Sequence, residues 1–287
     1  MQTVGSLCTG IGGLDRAVAE HFDAFPIWVS DNDPQVSDWL EARLPGVPNL
    51  GDLRDADSST LTVPDILTAG WPCQPVSRAG RLRGTKDERW LFDHIVEFIE
   101  RLPDRPRLLV VENVPNLLTH DGGRTALGVV REIARLGYDL RWGVVRASDT
   151  GAPHRRARFF AVATHADRMG PGRHRPRRVP RPASPREGQG QGGQRLRADA
   201  RHGDPAHGSR SSWGKFAPSI TRWERLTGYP SPPPLTDDRL DPRWVEWAMG
   251  FEPGLLTEVI THRRHALRIL GNSVVPQQGR LALDLLT

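Results

Sequence analysis

Five short apolar runs, separated by stretches of helical period, constrain most strongly what this chain can fold into. They are Val4 to Leu7, Ile27 to Val29, Ile66 to Ala69, Leu108 to Val111 and Phe159 to Ala163. Short apolar runs closed by turn residues are typical of strands buried on both faces of a parallel sheet. Between them, "DERWLFDHIVEFIERL" carries Leu91, Ile95, Phe98, Ile99 and Leu102 at helical spacing. "RTALGVVREIARLG" does the same with Leu127, Val130, Ile133 and Leu136, and Gly137 is a natural C-terminal stop. Alternating strand and helix predicts an α/β fold, a doubly wound, mostly parallel sheet with helices on both faces. Ligands of such sheets bind beyond the carboxyl ends of the strands, so functional residues are expected directly after the apolar runs.

Those positions carry distinctive residues. After the first run comes "CTGIGG", Cys8 to Gly13, a glycine-rich turn leading into a helix, and Asp31 follows the second run. The glycines permit a sharp turn and close backbone approach, and a carboxylate at that distance can accept hydrogen bonds from a ribose. By itself such a turn is often only a tight turn. Cys73 stands four residues after Ala69 in the Gly/Pro-rich "GWPCQPVSRAG", and Glu112 directly follows Val111. Strands joined by one crossover helix are usually neighbours, so this thiol and this carboxylate are expected to face one crevice. A lone cysteine is most often a small buried hydrophobe, and a Glu-Asn pair is often a turn former. Cys73, however, lies beyond the apolar run, in a loop, where a packing cysteine does not belong.

The charge is unevenly placed. The chain has 39 Lys plus Arg against 34 Asp plus Glu, and between His165 and Ser212 stand eleven Arg with only four acidic residues. The excess positive charge is therefore confined to that segment. It is rich in Gly, Pro and Gln and nearly free of aliphatics, so it cannot offset its ordering entropy by burial. It is expected to be a flexible linker or insertion (166–212), either a plain spacer or a polyanion-binding arm. Two cysteines cannot make a disulfide framework, and no Cys/His spacing resembles a zinc site. The N-terminus lacks a basic and an apolar leader region, and no window approaches 18 apolar residues. The expectation is a cytoplasmic protein without metal or membrane span.

Five blocks of this chain, in order, resemble the DNA cytosine-5 methyltransferases. Cys8 to Gly13 resembles the cofactor loop of that family; "PCQ", Pro72 to Gln74, with Ser77, Ala79 and Gly80, resembles its nucleophile loop; and "ENV", Glu112 to Val114, its catalytic acid block. "GAPHRRARFFAVA", Gly151 to Ala163, is similar to its Gln-x-Arg-x-Arg block, and "GNSVVPQ", Gly271 to Gln277, to its last block, which completes the cofactor pocket. The resemblance implies an S-adenosylmethionine-dependent, Rossmann-like methyltransferase. It implies catalytic roles for Cys73, Glu112, Arg156 and Arg158, and contacts to DNA from Gln74, Ser77, Asn113 and Arg155. The cofactor residues it implies are Cys8, Thr9, Gly10, Ile11, Gly12, Gly13, Asp31, Asn32, Asp52, Leu53, Pro72, Asn272 and Ser273. Two positions depart from the family pattern: Cys8 stands where a phenylalanine is usual, and His154 where a glutamine is.

In the implied chemistry the Cys73 thiolate adds to C6 of cytosine, which makes C5 nucleophilic toward a sulfonium methyl group, while the Glu112 carboxyl assists at N3. The base must leave the duplex stack to be reached. The catalytic, cofactor-binding domain is expected at 1–165 and 265–287, and a small target-recognition region at 213–264, whose Trp213, Trp223, Trp244 and Trp247 are polar-flanked. A small reader suggests a short recognised sequence. The expected partner is double-stranded DNA and the expected state a monomer. A tRNA cytosine-5 methyltransferase on the same motifs is the nearest alternative. A catalytically silent nucleic-acid-binding protein of the same fold is the alternative of another class, against which the intact Cys73, Gln74, Glu112, Asn113 and Arg156 argue.

Overall fold

The computed structural model describes residues 1–72, 90–166 and 210–287. Cys73, Gln74, Ser77 and nearly all of the arginine-rich segment lie outside the described residues. A six-stranded sheet is built from β1 (Gln2–Leu7), β2 (Ala24–Ser30), β3 (Ile66–Ala69), β4 (Leu108–Asn113), β5 (Tyr138–Arg146) and β6 (Ala157–His165), in the order β2-β1-β3-β4-β6-β5. β2, β1, β3 and β4 run parallel to one another, which makes the expected mostly parallel α/β sheet.

Two features of the sheet differ from the sequence reading. β6 runs antiparallel to β4 and to β5, so the run Phe159 to Ala163 is a buried strand but not a parallel one. An apolar run reports burial on both faces and carries no information on direction. β5 was not expected at all. Its sequence, "YDLRWGVVR", has no clean apolar run, because it lies at the sheet edge with Trp142 and Val144 exposed.

The helices are α1 (Gly13–Phe22), α2 (Pro34–Arg43), α3 (Phe92–Arg101), α4 (Arg124–Arg135), α5 (Ala217–Thr227), α6 (Pro242–Ala248), α7 (Arg263–Asn272) and α8 (Pro276–Leu286). Strand alternation sorts the core into two layers. Leu109, Val111, Phe159 and Ala161 meet α3 and α4, whereas Leu108, Val110, Phe160 and Val162 meet α1 and α8. The expected face of α3 is the buried one, but α4 is rotated from its expected face. Thr125, Val129 and Ile133 point inward and Leu127 is 47% exposed. With apolar residues at both 129 and 130, spacing alone does not choose between the two stripes.

A third cluster joins the 213–264 region to the sheet domain. Trp223 and Trp247, both fully buried, share it with Trp39 and Leu40 of α2, Ile269 and Leu270 of α7, and Ile11 of the glycine turn. The indole N–H of Trp223 donates to Trp247 O at 2.9 Å, and that of Trp39 donates to Leu255 O at 2.7 Å. These tryptophans are therefore core residues with satisfied polar tips.

The start of α1 depends on a glycine. A Cβ at Gly13 would stand 2.2 Å from the carbonyl oxygen of Val274, so the last sequence block can close over the turn only because that atom is missing. Gly128, inside α4, has nothing within 4 Å of the same position. Gly13→Ala is expected to destabilise the protein by about 1–3 kcal/mol through backbone displacement. Gly128→Ala is expected to stabilise it by about 0.5–1 kcal/mol. Urea denaturation of both variants checks the pair, and the account requires opposite signs.

Candidate active site

The glycine turn from Cys8 to Gly13 is held by Asp31, the carboxylate that the sequence singles out. Gly10 and Gly12 adopt positive φ, of 56° and 68°, as does Cys8 at 53°. The Gly10 N–H donates to Asp31 Oδ2 at 2.8 Å, and the Asp33 N–H to Asp31 Oδ1 at 3.0 Å. Burial pushes the Asp31 carboxyl above the usual range while these two N–H groups pull it back. One lone pair on each oxygen stays available to a hydroxyl. Asp52 is held below the usual carboxylate range, chiefly by hydrogen bonds from the Arg54 side chain, with Asn32 Nδ2 donating at 2.9 Å. Burial, reinforced by Asp31 and Asp52, pushes the Cys8 thiol far up, so that it stays protonated and unreactive.

At the other end of the crevice, β3 and β4 are adjacent, as the single crossover implied. Glu112, in the last turn of pleat of β4, is buried at 7% exposure and is bonded by Arg158 Nε at 2.9 Å. Burial raises its pKa, and Arg158 and Arg156 oppose that rise. Asn113 is 1% exposed; its amide donates to Trp71 O at 3.1 Å and its oxygen accepts from the Val114 N–H. It is thus turned inward, fixing the chain at Trp71, two residues before Cys73. A Cβ on Gly70 would lie 3.5 Å from Glu112 Oε2, so the carboxyl sits directly beside the backbone that follows β3.

The two arginines of the fourth block separate. Arg158 faces Glu112, whereas Arg156, at a φ of 28°, donates through Nη2 to Gly271 O at 2.9 Å and to Ser273 O. Arg156 thereby fastens the last block to β6. His154 donates from Nε2 to Ala248 O at 2.9 Å, and burial lowers its pKa, which keeps the ring neutral. Arg155 is exposed.

These elements surround one cavity of about 530 Å³. Cys8, Thr9, Gly10, Gly13, Asp31, Asn32, Asp52, Leu53, Pro72, Glu112, Asn113, Arg158, Asn272 and Ser273 line it; Ile11, Gly12, Arg155 and Arg156 do not. The Ile11 side chain is fully buried in the third core cluster. The cavity has the volume of sites for nucleoside-sized ligands. Its carboxylates at the β2 end and its side-chain-free Gly70 beside Glu112 fit a cofactor with a ribose at one end and a reactive group at the other. The sequence reading missed Asp15, Arg54 and Arg268, which also line it. Arg268 pairs with Asp33 at 2.6 Å across 235 positions of sequence, a contact with no local signal. Among the described residues no group of three His, Cys, Asp or Glu could hold a metal ion, and no helix is long and apolar enough to cross a membrane.

Comparison with known proteins agrees with this geometry. Type II methyltransferase M.NgoBI of Neisseria gonorrhoeae is 36% identical over 157 residues, 54% of this chain and 48% of that protein. M.HhaI of Haemophilus parahaemolyticus is 30% identical over 162 residues, 56% of this chain and 48% of that protein. These matches span about half the length of the curated relatives. Among solved structures, S. pombe Dnmt2 methyltransferase superposes with a TM-score of 0.60 at 18% identity, over 99% of this chain and 98% of that one. The Entamoeba histolytica methyltransferase EhMeth gives 0.60 at 14%, over 98% and 96%. The profile of the C-5 cytosine-specific DNA methylases matches residues 2–198, and the chain belongs to that family.

Proposed function

We propose that this protein is a DNA cytosine-5 methyltransferase that modifies a cytosine rotated out of duplex DNA, with Cys73 as the nucleophile. The observation that carries the reading is the buried, arginine-paired Glu112 at one end of a cavity whose other end is the glycine turn and Asp31. S-adenosylmethionine, held by the turn, Asp31, Asn272 and Ser273, would supply an electrophilic methyl group. The Cys73 thiolate adds to C6 of the base, and the electron density this places in the ring makes C5 nucleophilic. Glu112 in its acid form donates to N3 and stabilises that addition. Arg158 holds Glu112 in place and presents positive charge to the reacting base. Loss of the C5 proton then lets the thiolate leave. The 213–264 region is proposed as the sequence reader, and the arginine-rich segment as an arm that adds phosphate affinity without choosing the site.

The nucleophile is tested by covalent trapping. Duplex DNA carrying 5-fluorocytosine at the target blocks elimination, so wild type is expected to form a denaturant-resistant adduct and Cys73→Ala none, while Cys73→Ala still binds the methyl donor by calorimetry. An adduct that persists in Cys73→Ala contradicts the assignment. Methyl transfer to tRNA and not to duplex DNA would instead move the substrate to RNA.

The acid role carries a pH dependence. A carboxyl whose folded pKa is raised stays protonated to higher pH, and its acid form is lost as pH climbs through that raised value. The rate is therefore expected to fall along an alkaline limb that Glu112→Gln removes, with kcat lowered by about 10²-fold or more. Profiles of kcat against pH for the two proteins check this; a limb that survives in Glu112→Gln belongs to another group.

A further inference from the structure

The carboxyl of Asp15 lines the cavity but has no part in the chemistry above. It lies in the first turn of α1, directly after the cofactor turn. Ser6 of β1 and Thr68 of β3 are register partners in the parallel ladder, and both are 1% exposed. Ser6 Oγ donates to Asp15 Oδ2 at 3.0 Å, and Thr68 Oγ1 donates to Asp15 Oδ1. One carboxyl thus bridges two neighbouring strands, one residue before the end of each. β1 leads into the cofactor turn and β3 into the nucleophile loop.

The bridge continues to β2. Thr9 Oγ1 donates to Ser6 Oγ at 3.0 Å and accepts from the Ser30 N–H at 3.3 Å. The Thr9 hydroxyl also lies 3.3 Å from Ser6 O and from Ser30 O, so it joins β1 to β2 beside the Asp15 carboxyl, which accepts from Ser6 and Thr68. Ser30 immediately precedes Asp31, so the ends of β2, β1 and β3 are tied to one group.

We infer that Asp15 is a positioning residue for methyl transfer, setting the spacing between the cofactor turn and the loop that carries the nucleophile. The inference rests on the methyl-transfer reading above. A misplacement of about 1 Å between reacting groups costs on the order of 10²-fold in rate. Binding of the methyl donor, which depends on the turn and on Asp31, changes less than the rate does.

The test measures kcat, the KM for S-adenosylmethionine and thermal melting of Asp15→Ala, Asp15→Asn, Thr68→Val and the double variant Asp15→Ala/Thr68→Val. The substrate is whichever nucleic acid wild type methylates. Asp15→Ala is expected to lower kcat about 10²-fold, with KM changed by much less. Asp15→Asn should recover a large part of that loss, because Thr68 can turn its hydroxyl to Gly5 O, 3.5 Å away, and accept from the new amide. Thr68→Val should lower kcat alone, and the double variant should be no slower than Asp15→Ala, since both cut one bridge. A kcat within threefold of wild type in Asp15→Ala, losses that multiply in the double variant, or a loss confined to KM overturns the inference. If Asp15→Ala does not fold, Thr68→Val decides alone, a reduced kcat supporting the bridge and a wild-type kcat overturning it. Wild type active on tRNA and inactive on duplex DNA contradicts the substrate reading, while the variant comparison still stands or falls on tRNA.

Discussion

The Glu112 carboxyl buried at the end of β4 is bonded by Arg158, and the sheet brings the two together by reversing one strand. β6 is antiparallel to β4, with Glu112 opposite Phe160 and Asn113 opposite Phe159. The start of β6 therefore lies at the carboxyl edge of the sheet, which brings Arg158 within 2.9 Å of Glu112. A parallel β6 would leave Arg158 at the far edge and the buried carboxyl without the cation that opposes its rise in pKa. The antiparallel strand is thus what sets Arg158 beside the buried Glu112 carboxyl at the edge of the cavity.

The rest of the site is fastened to this pair through backbone carbonyls. Arg156, two residues before Arg158, reaches Gly271 and Ser273 and sets the last sequence block over the turn at Gly13. His154 reaches Ala248 and ties the same segment to the end of α6. On the opposite side, Trp39 and Arg43 of α2 both donate to Leu255 O, so the 213–264 region is anchored beside the helix that follows Asp31.

Much of this was legible in the sequence where a residue's chemistry and its place after a strand coincided. Asp31 and Gly10 belong to one pattern, a glycine turn with a carboxylate 21 residues after Gly10, and a hydrogen bond joins them. Glu112 and the β3–β4 adjacency were equally readable. What was not readable depended on direction or on long-range pairing. The apolar run in β6 has no sign of its antiparallel sense, and edge strand β5 alternates apolar Tyr138, Leu140, Trp142 and Val144 with Asp139, Arg141 and Gly143, so it holds no continuous apolar run. Arg156 and Arg158, two positions apart in one block, turn to different partners. Asn113 resembles a surface contact residue in sequence, yet its amide satisfies the Trp71 carbonyl in the interior.

Burial raises the Glu112 pKa against the pull of Arg158 and Arg156. Carbon-13 NMR of the glutamate side-chain carboxyls, assigned by comparison with Glu112→Gln and followed as a function of pH, tests it most directly. The account predicts a Glu112 midpoint clearly above the ordinary glutamate value of about 4.3, moving higher still in Arg158→Leu as the opposing cation is removed. A midpoint at or below the ordinary value, or one indifferent to Arg158, would contradict it.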